Sequence, residues 1–238
     1  MEARSGEILG IVGPNGAGKT SLLRVLAGLA HSGCMVNLGG RSLQDHDAAT
    51  RARLIAYLAQ GHVVEWPLAV RAVVALGRFP HRSGFGRLTA VDVAAIENAM
   101  SLTDTARFAE RPITALSGGE RARVMLARAL ATEAPVLLAD EPTASLDPRH
   151  QLRVMELLRS VAGRGVAVLV TLHDLTLAAR FSDRLLLLDR GRVAAAGTPE
   201  SVLTSERLAA VYGVVPFERE VSARRPIVPW SLVDPGSR

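Results

Sequence analysis

The chain has 238 residues, 48% of them apolar, which is enough for one substantial core with an inserted subdomain. Its single cysteine, Cys34, excludes an internal disulfide and fits a reducing compartment. No apolar run approaches the ~18 residues that span a bilayer, and the N-terminus lacks the apolar stretch of a signal peptide. The net charge of +5 comes from scattered arginines without an aromatic–basic cluster, so we expect no nucleic-acid binding.

Short apolar runs alternate with helical patterns along most of the chain. Buried strands are predicted at Glu7–Val12, Val136–Asp140, Val166–Thr171 and Arg184–Asp189, and helices at Lys19–Leu29, Pro148–Val161 and Leu175–Phe181. This alternation is typical of a mostly parallel sheet covered by helices. A late hairpin is predicted where Arg190-Gly191 precedes Val193–Ala196.

The segment from Trp66 to Arg111 shows helical patterns and no convincing strand. Helices are predicted at Leu68–Leu76 and at Thr89–Met100. Asp92 follows Thr89 by three residues, which is the spacing of a capping box. We therefore expect a helical insertion in the α/β core.

A glycine-rich stretch follows the first predicted strand and fits the P-loop pattern. It reads Gly13-Pro14-Asn15-Gly16-Ala17-Gly18-Lys19-Thr20, and Ser21 follows as a further candidate nucleotide contact. The glycines allow backbone N–H groups to curl around phosphate oxygens, and the helix N-terminus adds a favourable dipole. Lys19 would reach the β- and γ-phosphates, and the Thr20 hydroxyl would bind Mg²⁺. Among 28 basic residues Lys19 is the only lysine, where a compact ammonium differs physically from a planar guanidinium.

Another predicted strand ends in two carboxylates, Asp140 and Glu141. Strands often end in acidic residues, but behind a P-loop this pair gains a specific meaning. Asp140 would hold the Mg²⁺ shell, and Glu141 would polarise the attacking water. The sequence therefore predicts nucleotide hydrolysis.

The stretch Leu116-Ser117-Gly118-Gly119-Glu120 resembles the signature that separates ABC ATPases from other P-loop proteins. Ser117 would cap the helix that begins there, and the two glycines let backbone N–H groups approach an anion. In isolation Ser-Gly-Gly is an ordinary helix start. Here it precedes the two carboxylates by about twenty residues, as in ABC proteins.

Further features of that family follow in order. The resemblance implies that Gln60 is the Q-loop glutamine, which contacts Mg²⁺ and water and senses the membrane partner. It implies that Ala144-Ser145-Leu146-Asp147 is the D-loop and that His173 is the switch histidine at the γ-phosphate. The remaining histidines are interpreted as structural; they are His31, His46, His62, His81 and His150.

The resemblance covers the chain from Gly6 to about Tyr212 and implies an α/β fold with a RecA-like P-loop NTPase core. One domain is expected at residues 1–215, with a helical subdomain at about 61–119, followed by a loosely packed tail at 216–238. It implies a head-to-tail homodimer in which ATP lies between the P-loop of one chain and Ser117 to Glu120 of the other. The expected location is the cytoplasmic face of the inner membrane, peripherally, against separate permease subunits.

Two stretches are similar to ATPases of importers for ferric siderophores, haem and vitamin B12, namely Val74 to His81 and His150-Gln151-Leu152. This resemblance implies import of an iron chelate, haem or a corrinoid, with a periplasmic or surface substrate-binding protein in the complex. Gly77 to His81 would meet the membrane subunit, although a turn of this composition can also be purely structural. An exporter ATPase remains open, because the nucleotide motifs do not encode direction. A nucleic-acid-associated ABC ATPase would also share them.

The start of the chain departs from that family. Members usually have two more strands before the equivalent of Gly6, with an aromatic residue that stacks on adenine, whereas five residues precede Gly6 here. We therefore expect that these N-terminal strands are missing, and that Met1 is a misassigned or truncated start.

Overall fold

The computed structural model describes residues 1–31, 33–61, 66–82, 86–144, 146–217 and 228–232. Its strands are β1 (Ile8–Val12), β2 (Asn37–Leu38), β3 (Arg41–Ser42), β4 (Ile55–Leu58), β5 (Val136–Ala139), β6 (Ala167–Thr171), β7 (Arg184–Asp189), β8 (Arg192–Gly197), β9 (Val214–Phe217) and β10 (Val228–Leu232). Its α-helices are α1 (Lys19–Leu26), α2 (Ala48–Leu54), α3 (Val70–Ala75), α4 (Ala90–Leu102), α5 (Gly118–Leu130), α6 (Pro148–Gly163), α7 (Leu175–Phe181), α8 (Pro199–Val202) and α9 (Ser205–Tyr212).

Six strands form the central sheet, in the order β4-β5-β6-β1-β7-β8. The first five are parallel, and β8 returns antiparallel to β7. Arg190 and Gly191 both have positive φ, 47° and 76°, as a two-residue hairpin turn requires. Since β4, β5, β6 and β1 run in the same direction and lie side by side, the loops after these four strands meet at one edge of the sheet.

The middle of the sheet is buried on both faces, so its central strands are near-continuous apolar runs rather than alternating ones. All five residues of β1 and of β6 are buried. Ile8 and Val12 of β1 belong to the larger core, together with α5, α6 and α7, whereas Leu9 and Ile11 pack with Leu23 of α1. Helices therefore cover both faces of the sheet. Packing of α1 against β1 fixes the two ends of the loop that joins them.

The segment between β4 and β5 is helical in its described part, as predicted. Thr89 and Asp92 form the expected capping box at the start of α4. A 3-10 helix at Leu76–His81 follows α3, and its Arg78 side chain is buried, with ion pairs to Asp92 and Glu133 at 2.8 Å each. A buried guanidinium must be paired, and this pairing links the 3-10 helix to α4 and to the segment that follows α5.

Several elements were not predicted from sequence. The apolar stretch before Gln60 contains β4, an edge strand of the sheet, and α2 and the β2–β3 hairpin were missed as well. Part of the predicted tail lies in an antiparallel two-stranded sheet, which β9 and β10 form. Residues 218–227 and 233–238 of that tail, and His62, lie outside the described residues. Among the described helices, none is long and apolar enough to cross a membrane.

Candidate functional site

The P-loop joins β1 to α1, and two of its glycines are required by the backbone. At Gly13 a Cβ would lie 2.3 Å from the Leu188 carbonyl oxygen, so any side chain there would displace β7. Gly18 is the N-cap of α1 with φ 97°, and no side chain caps this helix. The first N–H groups of α1 therefore keep their hydrogen-bonding capacity for a ligand, which is the arrangement that binds phosphate.

Lys19 is the first residue of α1 and is only 6% exposed. Its Nζ donates to the carbonyl oxygens of Gly13 at 2.8 Å and Pro14 at 3.2 Å, so the ammonium lies across the loop. Burial lowers the pKa of Lys19, while the carboxylates of Glu141 and Asp140 act in the opposite direction. Both carboxylates thus favour the charged form of this buried cation.

Both predicted carboxylates lie at the end of β5 and are held by hydrogen bonds from neighbouring strands. Asp140 is fully buried, and the Thr171 hydroxyl donates to its Oδ1 at 2.7 Å. Glu141 has a left-handed backbone, φ 50°, and its N–H donates to the same Thr171 oxygen at 2.8 Å. The Glu141 carboxylate contacts Gln60 Nε2 at 2.5 Å and His173 Nε2 with its other oxygen. Gln60, Glu141 and His173 therefore form one cluster.

A polar cavity of about 570 Å³ connects this cluster to the P-loop. It is lined by Asn15, Gly16, Ala17, Gly18, Lys19, Thr20, Ser21, Gln60, Glu141 and His173. Ala17, Gly18 and Ser21 also line an adjoining, mostly apolar cavity of about 790 Å³. No aromatic side chain of the described residues lines either cavity.

The environment of Asp140 fits a divalent cation. In the described part of the chain its carboxylate accepts hydrogen bonds from two hydroxyls, Thr171 at 2.7 Å and Tyr57 at 3.4 Å, and forms no ion pair. A buried carboxylate that forms no ion pair is costly, so a metal ion nearby would stabilise it. No group of three or more acidic, His or Cys side chains that could hold a metal occurs among the described residues. Mg²⁺ typically needs one or two carboxylates together with substrate phosphates, and Asp140 can supply such a carboxylate.

Two predicted site segments lie outside this cavity. Ser117 is the N-cap of α5, and it forms a capping box in which its hydroxyl accepts from Glu120 N at 3.3 Å and its N–H donates to Glu120 Oε2 at 2.9 Å. Asp147 is the N-cap of α6 and accepts from His150 N at 3.0 Å and from His150 Nδ1 at 2.6 Å. Both predicted segments therefore cap helices within this chain. Ser145, in the same stretch as Asp147, is outside the described residues.

Sequence reasoning missed two residues that contact Asp140, namely Thr171 and Tyr57. One signal was available for Thr171, since it is the single hydroxyl residue in a strand that is otherwise entirely apolar. Tyr57 lies in β4, which was not recognised as a strand, so its position beside β5 could not be inferred.

A phosphate-binding loop between a parallel strand and a helix, with an acidic strand end facing it, defines a P-loop nucleotide-binding protein. A family model described as ABC transporter matches residues 1–144. The chain therefore belongs to the ABC transporter family, and the predicted family and fold class are confirmed.

Relatives within that family are similar over most of the chain. The hemin import ATP-binding protein HmuV of Pseudomonas entomophila is 48% identical over 90% of this chain and 85% of its own length. The cobalamin import ATP-binding protein BtuD of Halobacterium salinarum is 47% identical over 88% of this chain but 52% of its own length, so this chain spans about half of that relative. Among solved structures, an inward-facing ABC transporter assigned to the metal-chelate type matches with a TM-score of 0.82 and 28% identity, over 95% of this chain and 87% of that one.

Proposed function

We propose that the chain is the ATP-hydrolysing subunit of an ABC importer for haem, a cobalamin-type corrinoid or an iron chelate. The observation that carries this proposal is the sequence identity of 46–49% to import ATP-binding proteins named for hemin and cobalamin. The metal-chelate transporter that it resembles in structure supports the same substrate class. The exporter and nucleic-acid alternatives lack comparable support.

The geometry supports hydrolysis with assigned roles for the site residues. The P-loop N–H groups and Lys19 bind the phosphates, and Glu141 accepts a proton from the attacking water. Gln60 and His173 hold the Glu141 carboxylate between them, and ATP entering the cavity would contact all three side chains. Bound Mg²⁺ would neutralise phosphate charge, and Thr20, Gln60 and Asp140 are the residues that would hold it.

A homodimer with ATP between the chains is part of this proposal. The Ser117–Glu120 segment lies apart from the chain's own cavity, and a Cβ added at Gly118 would meet nothing within 4 Å, so an anion could approach the backbone there. A dimeric ATP-binding cassette bound to ADP and phosphate matches this chain with 28% identity and a TM-score of 0.74, which supports such an assembly.

We propose that Phe79 and Leu76, which are 67% and 52% exposed, make the contact with a membrane permease. Gly77 and Arg78 of the predicted docking stretch pack inward. A Cβ at Gly77 would lie 2.1 Å from the Arg128 carbonyl oxygen, and Arg78 is 3% exposed. Thus the structural interpretation holds for Gly77 and Arg78, while Phe79 remains available to a partner.

We also propose a single ATPase domain at residues 1–215 with the helical subdomain at about 61–119. The 216 boundary falls inside β9, which begins at Val214. In the assembly the subunit would sit peripherally at the cytoplasmic face of the inner membrane. A periplasmic or surface substrate-binding protein would complete the transporter.

Reconstitution tests this function. The chain, its permease and its substrate-binding protein would be placed in proteoliposomes, with ATP on the side of this chain, and uptake of haem, cobalamin and a ferric siderophore measured. We expect ATP-dependent transport of one of these compounds toward the ATP side. Transport away from the ATP side would establish an exporter, and ATPase stimulation by nucleic acid alone would establish the other alternative.

The docking surface has its own test. Phe79→Ala should reduce copurification with the permease while leaving basal ATP hydrolysis nearly intact. The matched control is Leu29→Ala, because Leu29 is a similarly exposed apolar side chain outside the helical segment (60% exposed). Loss of basal activity in Phe79→Ala without loss of assembly would indicate a core role instead.

A further inference from the structure

We propose that Thr171 is a positioning residue whose single hydroxyl sets the geometry of both Asp140 and Glu141. The inference rests on the proposed ATP hydrolysis and assigns to Thr171 a role that the sequence motifs do not include. Thr171 is not among the residues that line the P-loop cavity, so it acts through the two carboxylate residues that it contacts.

The sheet topology brings these residues together. Thr171 ends β6, and β6 pairs in parallel with β5, with Ala139 opposite Val170. The next residue on each strand is therefore adjacent, so Thr171 lies beside Asp140. Thr171 is fully buried, as is Asp140.

One hydroxyl performs two tasks because it has one donor and two acceptor sites. It donates to Asp140 Oδ1 at 2.7 Å and accepts from Glu141 N at 2.8 Å. The first bond fixes the rotation of the carboxylate that would face Mg²⁺. The second bond fixes the peptide that carries Glu141.

The peptide at Glu141 needs such support. A left-handed backbone at a residue other than glycine is strained, and φ is 50° here. The turn is further held by the Glu141 carbonyl, which accepts from Ala144 N at 3.1 Å. If the Thr171 acceptor were lost, the partly buried Glu141 N–H would lose this partner, and the turn could relax away from the cavity.

Tyr57 approaches the same carboxylate from the other side. β4 flanks β5 opposite β6, and the Tyr57 hydroxyl lies 3.4 Å from Asp140 Oδ2. This contact is longer and does not involve Glu141. Thr171 is thus the residue that couples the proposed metal ligand to the proposed general base.

The test compares Thr171→Val, which keeps the shape but removes the hydroxyl, with Thr171→Ser, which keeps the hydroxyl. The matched control is Thr105→Val, because Thr105 is also fully buried and its hydroxyl bonds to Thr103 at 2.9 Å, away from the cavity. Three quantities are measured for each: kcat and KM for ATP, Mn²⁺ affinity by electron paramagnetic resonance with a non-hydrolysable ATP analogue, and melting temperature.

We expect Thr171→Val to lower kcat by about 10–100-fold and to weaken Mn²⁺ binding by about tenfold, as loss of a hydrogen bond behind a metal ligand does. KM for ATP should stay within about twofold, because the P-loop is unchanged, and Thr171→Ser should restore most of kcat. Should Thr171→Val fail to fold, Thr171→Cys replaces it, since sulfur is a weak hydrogen-bond partner.

Two results would overturn the inference. One is a Thr171→Val variant whose kcat and Mn²⁺ affinity match those of Thr105→Val. The other is a Thr171→Ser variant as impaired as Thr171→Val, which would assign the effect to packing. Absence of hydrolysis in the wild-type chain and in Thr105→Val, with Mn²⁺ binding still dependent on Thr171, would refute the proposed ATPase function and not the positioning role.

Discussion

The P-loop and the Ser117-Gly118-Gly119 motif lie at the N-termini of α1 and α5, and these two helix starts are capped differently. The N-cap of α1 is Gly18, and no side chain bonds to the helix start. The N-cap of α5 is Ser117, which forms a complete capping box with Glu120. The first helix leaves its N–H groups for a ligand, whereas the second uses its own side chains to satisfy part of them.

This difference assigns the two helices different tasks. The α1 terminus begins with Lys19, which is buried and lines the same cavity as Glu141, so we expect phosphate binding there to depend on one chain alone. The α5 terminus lies outside that cavity and already carries the Glu120 carboxylate. We therefore expect α1 to provide ATP affinity and α5 to contribute later, when a second chain brings its ATP.

The largest effect is expected from Lys19→Arg. The variant keeps the charge, but the guanidinium fork is too wide for the phosphate loop, so hydrolysis should be abolished. Steady-state ATPase activity at saturating nucleotide is the measurement. Retention of more than about half of the activity would show that Lys19 does not bind phosphate in the transition state. It would also contradict the different roles assigned to α1 and α5.

Glu141→Gln should bind ATP but hydrolyse it more slowly by about 10²–10⁴-fold, because the amide cannot accept the proton from water. Since hydrolysis resets the dimer, the variant should accumulate as an ATP-bound dimer in size-exclusion chromatography. A monomeric Glu141→Gln variant with normal turnover would contradict both roles.

Ser117→Ala should leave ATP binding by the single chain unchanged and reduce hydrolysis by about tenfold or more, because only the dimer uses the α5 terminus. The matched control is Thr89→Ala, since Thr89 and Asp92 form the same capping box on α4. Both variants should lose about 1 kcal/mol of stability. Equal ATPase activity in the two variants would show that Ser117 only caps its helix.

The smallest effect is expected from Glu120→Gln. The Ser117 N–H hydrogen bond lowers the pKa of Glu120, so its charge stabilises the folded chain above the unfolded pKa of about 4.3. That contribution is lost as the pH falls through the lowered folded pKa. The variant should melt about 1–3 °C below wild type at pH 7, and the difference should vanish in acid. A difference independent of pH would exclude the charge as its cause.

The sequence predictions were most accurate for local motifs. Gly13 to Thr20, the capping box at Thr89 and the helix cap at Ser117 depend on neighbouring residues, so the local sequence was sufficient to locate them. The cluster of Gln60, Glu141 and His173 depends on sheet order, and the family resemblance supplied it rather than residue spacing.

The missed features depend on tertiary pairing. β4 is an edge strand with intermediate residues at alternate positions, and its four residues give too short a pattern to separate it from the end of α2. The contact of Thr171 with Asp140 requires the register of β5 and β6. The burial of Arg78 could not be inferred either, because its partners, Asp92 and Glu133, are distant in sequence.

The central claim is that ATP is hydrolysed between the P-loop of one chain and Ser117 of another. A mixture of Lys19→Arg chains and Ser117→Ala chains tests it most directly, because a mixed dimer contains one site in which both parts are intact. We predict that the mixture hydrolyses ATP at least several-fold faster than the sum of the two variants measured separately. Activity equal to that sum, with mixed dimers demonstrated by differential tags, would contradict the account.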